Sequence, residues 1–293
     1  MAEIKQLEAV AAQVRRDIVR MVASAASGHP GGSLGAADVL AALYFDVMDI
    51  PQERIEHFDP SGNHGDGEDL FFLSNGHISP LLYSILARRG YFPVSELGEF
   101  RRIGARVQGH PTPAKGLPGV RVASGSLGQG LSVAVGNALA KKLSGDEAHR
   151  VFVMMGDGEL EEGQIWEAAM FAAARGVDNI VGIVDMNGQQ IDGSCHAVLG
   201  MGCRKQLRAK WEAFGWTVLD MDGHDMRNIV DTLRYAKNDA CGHGKPVVIL
   251  AETVMGQGVD FMAGTNEWHG KAPSKEQAEA ALAQLPQTEL GDY

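Results

Sequence analysis

The stretch VFVMMGDGELEEGQIWEAAMFAAARGVDNIVGIVDMNG, residues 151–188, decides the fold class because it places a helical segment between two strongly apolar runs. Each run ends on small acidic or amide residues, Gly-Asp-Gly at 156–158 and Asp-Met-Asn-Gly at 185–188. Short apolar runs of this kind are typical of strands buried on both faces of a parallel sheet. The stretch therefore predicts a strand, a helix and a second strand, with polar residues where the strands end.

The same alternation continues on both sides of this stretch. Apolar runs predict buried strands at 69–73, 150–155, 179–184, 216–220 and 246–252. Helical periodicity predicts helices at 127–143, 160–174, 205–214 and 226–237, with a helical first 60 or so residues, a helix at 38–47 after the loop SGHPGGSLG, and a last surface helix after Lys271. This order predicts an α/β fold with a parallel sheet covered by helices on both faces. We expect residues 1–293 to form a single domain.

Composition excludes several classes of protein. The 293 residues carry a net charge of −11 with no basic block, which argues against nucleic acid and anionic membranes as partners. No uncharged apolar run reaches the roughly 18 residues of a membrane span, and the N-terminus has the pattern of a charged amphipathic helix. Cys195, Cys203 and Cys241 lack disulfide or metal-type spacing, so we expect free thiols and a cytoplasmic location.

Asp157 and Asn187 are the first candidates for chemistry because they follow two successive predicted strands. Ligands of parallel sheets bind beyond the carboxyl ends of the strands. Oxygen donors of this kind, with a backbone carbonyl from the next loop, suit Mg²⁺ or Ca²⁺. Gly156 and Gly158 would let the backbone approach a diphosphate, toward which a helix beginning near Leu160 would point its N-terminus.

Each half of this pattern also has a simpler interpretation. Gly-Asp-Gly is compatible with a plain strand-to-helix turn in which Asp157 caps the helix, and Asn187-Gly188 with a plain turn. Taken together, with one helix and one strand between them, they resemble the metal and diphosphate motif of thiamine diphosphate enzymes.

Further motifs narrow this resemblance to the transketolase family. They occur in that family's order and spacing, up to about Lys271: ASGHPGG (26–32), FLSNGHISPLLY (72–83), QGHPTP (108–113), ASGSLGQGLSVAVG (123–136), GDGELEEG (156–163), DMNGQQIDG (185–193), DGHD (222–225) and NEWHG (266–270). The chain thus looks like the diphosphate-binding part of a transketolase.

Four histidines in Gly- or Pro-rich loops are the catalytic candidates, since imidazole moves protons near neutral pH. The resemblance implies that they hold donor hydroxyls, shuttle protons or meet the substrate phosphate, and that His77 also contacts the cofactor; they are His29, His77, His110 and His269. We expect a structural role for His224. The remaining histidines are expected on the surface: His57, His64, His149, His196 and His243.

The resemblance also implies the residues that bind thiamine diphosphate. Gly125, Ser126 and Leu127 would line its aminopyrimidine, although Ser126 replaces a common Pro. Gly156, Asp157 and Gly158 would hold the diphosphate. The metal ligands would be Asp157, Asn187 and the main-chain carbonyl of Gln189, a position where relatives often have an apolar residue. Glu162 matches an acid at the family's subunit interface, or else is a first-turn helix acid favoured by the helix dipole.

The implied reaction is transfer of a two-carbon ketol unit from a ketose to an aldose, usually as phosphates. In full-length transketolases a second domain supplies the Glu that activates the cofactor's pyrimidine, and these 293 residues do not include it. We therefore predict a subunit of a split transketolase, active only with a separate pyrimidine-binding chain and assembled as a heterotetramer.

Two other functions remain open at this stage. The first is another thiamine diphosphate enzyme of the deoxyxylulose phosphate synthase type, against which SGHPGG, QGHPTP and NEWHG favour transketolase. The second is a non-catalytic orphan or regulatory half that only binds the cofactor, which would not require all four histidines. A plain nucleotide-binding fold is disfavoured because no GxGxxG or P-loop stands at a strand end.

Overall fold

A five-stranded parallel sheet forms the centre of the computed structural model, which describes residues 3–59, 67–200 and 203–293. The strands are β1 (Leu70–Leu73), β2 (Val151–Gly156), β3 (Ile180–Met186), the short β4 (Gln189–Gln190) and β5 (Gly193–Ser194), β6 (Thr217–Asp222) and β7 (Val247–Glu252). The sheet has the order β1-β2-β3-β7-β6, and β4 and β5 form a separate antiparallel hairpin. All five predicted strands are confirmed, with ends that differ by one or two residues.

Both faces of the sheet are buried, which explains why its strands are continuous apolar runs. In β2 the side chains alternate: Phe152 and Met154 enter the core on one face, and Val151, Val153 and Met155 enter the core on the other. Because each face needs its own cover, helices pack on both sides, as the sequence predicts.

Helices supply that cover. Their bounds are α1 (Ile4–Ala25), α2 (Pro30–Gly35), α3 (Ala37–Ala42), α4 (Gln52–Glu56), α5 (Ser79–Arg89), α6 (Gln129–Ser144), α7 (Gly163–Ala174), α8 (Cys195–Leu199), α9 (Arg204–Ala213), α10 (Met226–Tyr235) and α11 (Lys275–Gln284). Side chains of α1, α3, α5, α10 and α11 belong to the core on one face, and those of α6, α7 and α9 to the core on the other. None of the described helices is both long and apolar enough to cross a membrane.

Six of the nine residues of SGHPGGSLG, where the sequence predicts a loop, are in fact helical, because α2 begins at Pro30. Pro fits the first turn of a helix, where a backbone N–H is not needed. The glycines serve packing here: a Cβ on Gly31 would lie 2.6 Å from the Met255 side chain, and one on Gly32 would lie 2.9 Å from Ile78. The Gly-rich composition therefore marks close contact rather than a loop.

His224 has the structural position expected for it. Its Nδ1 lies 2.9 Å from Asp38 Oδ2, and its Nε2 accepts a 2.8 Å hydrogen bond from the backbone N–H of Val254. Asp38 also pairs with Arg15 of α1. This network joins α1 and α3 to the loops that follow β6 and β7.

The five histidines expected on the surface differ in how exposed they are. His57, His196 and His243 are exposed, and His64 lies outside the described residues. The expectation is wrong for His149, which is half-buried with its Nδ1 2.7 Å from Asp146 Oδ1. The three cysteines are free, and Cys195 and Cys241 are buried.

Candidate active site

The parallel register of β2 and β3 brings Asp157 and Asn187 to one edge of the sheet. Gly156 lies opposite Asp185, so the next residues of both strands leave the sheet side by side. Asp157 Oδ2 accepts a 2.6 Å hydrogen bond from the backbone N–H of Gly188, and Asp157 Oδ1 accepts one of 2.8 Å from Gly158. Two separate sequence motifs therefore form one site.

A cavity of about 260 Å³ lies at this edge of the sheet. Its wall includes nine of the predicted site residues: His77, Leu127, Gly156, Asp157, Gly158, Glu162, Asn187, Gln189 and His269. His29, His110, Gly125 and Ser126 are not part of this wall and lie on adjoining loops. The predicted cofactor and metal residues thus converge on a single cavity and its rim.

The cavity wall is strongly acidic. Its carboxylates are Asp157, Glu159, Glu161, Glu162, Asp185 and Asp192, and no Lys or Arg of the described residues lines it. Burial, followed by the charge of Asp185, raises the pKa of Asp157 to about 7, and burial also raises the pKa of Asp185. Buried carboxylates that lack a nearby cation are unfavourable, and they would repel a diphosphate.

A divalent cation suits this donor set. Asp157, Asn187 and Gln189 line the wall, and the carboxylate and amide oxygens of the first two are hard donors of the kind that Mg²⁺ and Ca²⁺ prefer. Within the described ranges, no group of three or more His, Cys, Asp or Glu is arranged to hold a metal. Two side chains do not complete the coordination of either ion, so further ligands would have to come from the backbone, from water or from a bound molecule.

The turn after β2 differs from the prediction. Residues Gly158–Glu161 form a single 3₁₀ turn, and α7 begins only at Gly163, not near Leu160. Asp157 accepts the Gly158 N–H at the start of this turn, so its capping role is also present. The extra turn brings Gly158 and Glu159 to the cavity, in place of the first turn of a long helix.

The four catalytic candidates form one histidine cluster, although their loops are far apart in sequence. The ring centroids of His77 and His269 are 4.9 Å apart, those of His29 and His77 are 5.2 Å apart, and those of His29 and His269 are 5.7 Å apart. The His110 ring belongs to the cluster through its contact with His29, and the centroids of these two rings are 6.2 Å apart. The cluster therefore runs from the cavity wall, at His77 and His269, outward to the exposed His110.

Burial makes these imidazoles weak bases. Desolvation is the largest cause, and it lowers the pKa of His29 to about 4 and that of His77 to about 3, with neighbouring histidines adding to the effect. Burial also lowers the pKa of His110 and of His269. At neutral pH the four rings are uncharged, so each has one nitrogen that accepts a proton and one that donates.

The loop predicted to line the aminopyrimidine lies against the histidine cluster. Gly125 has φ = 120°, and a Cβ there would lie 2.5 Å from His110 Cδ2. Ser126 is exposed, while Leu127 is half-buried on the cavity wall. Glu162 is exposed directly before α7, and a Cβ on Gly128 would lie 2.8 Å from its Cβ.

Glu159 is the main residue that sequence reasoning missed. It is 2% exposed and accepts hydrogen bonds from the backbone N–H groups of Gly128, at 2.8 Å, and Gly156, at 3.1 Å. The Ser74 hydroxyl also donates to it and accepts from Gly130 at 3.1 Å. One carboxylate thus joins the loops after β1, before α6 and after β2. Within GDGELEEG nothing in the sequence distinguishes this Glu from Glu161, which is half-buried, or from Glu162, which is exposed.

Two amide side chains on the cavity wall were also missed. Asn75 Oδ1 and Gln190 Oε1 are buried polar atoms without a hydrogen-bond partner in the described structure, as are the Nδ1 atoms of His29 and His269. Buried polar groups are normally satisfied. The Asn75 and Gln190 oxygens therefore fit a polar ligand in the cavity.

A parallel sheet with an acidic, cation-fitting cavity beyond its strand ends defines a cofactor-binding α/β protein. Residues 7–287 match the family model described as transketolase, thiamine diphosphate binding domain. The chain therefore belongs to the transketolase family and comprises its thiamine diphosphate binding domain.

Individual relatives are consistent with this assignment. The chain is 39% identical to a subunit of the apulose-4-phosphate transketolase of Actinobacillus succinogenes, over 96% of both chains. It is 38% identical to the 6-deoxy-6-sulfo-D-fructose transketolase subunit SqwG of a Clostridium species, over 93% of both. The solved transketolase of Leishmania mexicana superposes with a TM-score of 0.85 at 31% identity, covering 98% of this chain but 42% of that one. The prediction of a transketolase subunit is thereby confirmed.

Proposed function

We propose that this chain is the diphosphate-binding subunit of a split transketolase, which moves a two-carbon ketol unit from a ketose, usually phosphorylated, to an aldose. The observation that carries the proposal is the pattern of coverage. The chain matches nearly the whole length of proteins named as transketolase subunits, yet spans about two-fifths of a full-length transketolase. The partner would be a separate chain that binds the pyrimidine and supplies the activating Glu.

Thiamine diphosphate, when bound, supplies the carbanion stabilisation that ketol transfer needs. In this chain we assign its diphosphate to the turn at Gly156, Asp157 and Gly158. We assign its Mg²⁺, or Ca²⁺, to Asp157, Asn187 and the carbonyl of Gln189. The acidic wall supports a metal, because a diphosphate would otherwise meet only like charges there.

The histidine cluster would act on the sugar. Because the rings of His29, His77, His110 and His269 are neutral at physiological pH, they would donate hydrogen bonds to hydroxyl oxygens and accept protons from hydroxyl groups during bond cleavage. The unpartnered Nδ1 atoms of His29 and His269 support this role, since each is buried with no hydrogen-bond partner in the described structure.

The partner would cover the side of the molecule where the aminopyrimidine loop and α7 lie. Gly125, Ser126 and Leu127 would hold the edge of the pyrimidine, and Glu162 would face the subunit interface. Two large apolar side chains of α7, Met170 and Phe171, are 57% and 45% exposed, and exposed apolar groups of this size favour an interface. We propose a heterotetramer of two copies of each chain, located in the cytoplasm.

Purification from native cells would test the proposal first. A mild pull-down should recover a second chain of similar size in equal amount, identified by mass. The reconstituted pair should then show ketol transfer with thiamine diphosphate and Mg²⁺, whereas either chain alone should show none. Measurable turnover by this chain alone would contradict the split arrangement, and recovery without a partner would favour a non-catalytic cofactor-binding protein.

A further inference from the structure

Asp185 is a buried carboxylate on the cavity wall to which the proposed function assigns no role. It lies in β3 and is 1% exposed. Its two oxygens accept hydrogen bonds from two different segments: Oδ2 from the Asn187 amide at 2.9 Å, and Oδ1 from the Thr253 hydroxyl. Its backbone carbonyl also accepts a hydrogen bond from the N–H of Asp157 at 3.2 Å. Asp185 therefore contacts both residues whose side chains we assign to the metal.

The parallel register of β3 and β7 brings Thr253 to this position. Met186 lies opposite Glu252, so Asn187 and Thr253 leave the sheet side by side. The N–H of Thr253 donates to the carbonyl of Met186 at 3.3 Å, which continues the ladder by one residue. The methyl group of Thr253 packs against Gly223, where a Cβ would lie 2.5 Å from Thr253 Cγ2. Since Thr253 is only 6% exposed, its hydroxyl has to find its partner inside the protein.

The same contacts fix the orientation of the Asn187 amide. Its NH₂ group donates to Asp185, and its Oδ1 accepts a 2.9 Å hydrogen bond from the backbone N–H of Gln189. If the amide were turned end for end, its NH₂ would face the Gln189 N–H and its oxygen would face the Asp185 carboxylate, so both contacts would become repulsive. An amide oxygen has two lone pairs, and one remains for a cation when Gln189 uses the other.

We propose that Asp185 and Thr253 are positioning residues for the cation: Thr253 holds the Asp185 carboxylate, which in turn holds the Asn187 amide with its oxygen free to bind the metal. The inference rests on the proposed function and deepens its metal site. Groups that hydrogen-bond to metal ligands orient them, and their loss typically lowers metal affinity about 10- to 100-fold. A fixed ligand matters most for Mg²⁺, which requires near-ideal octahedral geometry, whereas Ca²⁺ accepts irregular geometry. The network therefore favours Mg²⁺ over Ca²⁺.

Calorimetric titration of thiamine diphosphate into the assembled complex, or into the full chain if no partner is recovered, tests the proposal with each cation in turn. Thr253→Val keeps the shape of the side chain and removes the hydroxyl. We expect it to weaken cofactor binding about 10-fold with Mg²⁺ but less than about 3-fold with Ca²⁺. Thr253→Ser, which keeps the hydroxyl, should recover most of the Mg²⁺-dependent affinity. Thr217→Val, at a half-buried Thr that begins β6 at the opposite end of the sheet, is the matched control and should change neither affinity.

The two cations separate this role from a general loss of structure, which would lower both affinities by the same factor. Equal losses with Mg²⁺ and Ca²⁺, an unchanged affinity in Thr253→Val, or no recovery in Thr253→Ser would overturn the proposal. Thr253→Ala also lacks the hydroxyl and should show the same difference between the cations if the Val variant does not fold.

These titrations measure binding without turnover, so the inference and the proposed function fail in different ways. A complex that showed the expected cation dependence but transferred no ketol unit would contradict the proposed function alone. A wild type whose cofactor affinity did not depend on a metal would overturn the metal assignment and this inference with it.

Discussion

The carboxylate of Asp157 accepts a 2.6 Å hydrogen bond from the backbone N–H of Gly188, and this contact joins the loops that follow β2 and β3. The thiol of Cys195 donates to the same carboxylate at 3.3 Å. Asp157 thus orders the chain around it as well as presenting oxygens to the cavity. A substitution there affects both the loop geometry and any bound cation.

Replacing Asp157 with Asn should weaken Mg²⁺-dependent binding of thiamine diphosphate by more than about 10-fold, because the carboxylate that we propose as the anionic metal ligand is lost. Calorimetric titration of the assembled complex, with and without Mg²⁺, measures this. Asp220→Asn, at an exposed residue paired with Arg208, is the matched control and should leave affinity unchanged. Unaltered cofactor affinity in Asp157→Asn would mean that the metal lies elsewhere.

Glu159→Gln should lower the free energy of unfolding by about 1–3 kcal/mol, since an amide –NH₂ would face the N–H groups that the buried carboxylate now accepts. Cofactor affinity should fall as well, because the loops at Gly128 and Gly156 lose their common anchor. Chemical denaturation and cofactor titration measure the two effects. Glu167→Gln, on the exposed side of α7, should alter neither; a stable Glu159→Gln protein with normal affinity would contradict the anchoring role.

The lowered pKa of His29 predicts a loss of stability in acid. Its pKa is about 4 in the folded chain and about 6.5 when unfolded, so between these values the unfolded chain binds the proton first. The contribution of His29 is therefore constant above pH 6.5 and unfavourable as pH falls toward 4. Asp157 titrates with the opposite sign, since its folded pKa is raised to about 7.

Comparison of the wild type with one variant isolates the contribution of His29 to the pH dependence of stability. The free energy of unfolding of the wild type, measured by denaturant between about pH 4.5 and 7.5, should fall more steeply with acidification than that of His29→Asn. Parallel curves for the two proteins would show that His29 is not buried as described.

Gly125 and Gly136 form a matched pair for the aminopyrimidine loop. Ala at 125 would need φ near 120° and would meet the His110 ring at 2.5 Å, so we expect it to destabilise the fold and to lower turnover of the complex. Ala at 136, inside α6 with no atom within 4 Å of its Cβ, should stabilise the chain by roughly 0.5–1 kcal/mol. Thermal unfolding of each variant and kcat of the complex measure these effects. Equal stability and equal turnover of the two variants would contradict the contact between Gly125 and His110.

Much of the fold could be predicted because its strands are buried on both faces. NIVGIV and PVVILAE have no polar face to obscure them, and the alternation with helices then determines a parallel sheet. Two helices that the sequence analysis did not predict, α2 and α5, were missed for different reasons. In α2, Gly31, Gly32 and Gly35 suggest a loop, whereas close contacts with Met255, Ile78 and Val254 require them within a helix. In α5, nearly every side chain is buried, so no polar face shows its period.

The candidate site was predictable where motifs mark strand ends, as at Asp157 and Asn187. It was not predictable where function depends on contacts between distant segments. Glu159 and Asn75 resemble ordinary turn residues in the sequence, and only the fold shows that one accepts N–H groups of two loops and the other faces the cavity.

The acidic cavity wall has a thermodynamic consequence for loading the site. With six carboxylates and no Lys or Arg of the described residues on the wall, a bound divalent cation would lower the electrostatic cost of placing a diphosphate there, and the diphosphate would add oxygen ligands to the cation. Their binding must then be positively coupled, and the coupling is reciprocal: whatever factor the cation adds to the diphosphate affinity, the diphosphate adds to that of the cation. A shortage of either one would then lower the occupancy of the site by both.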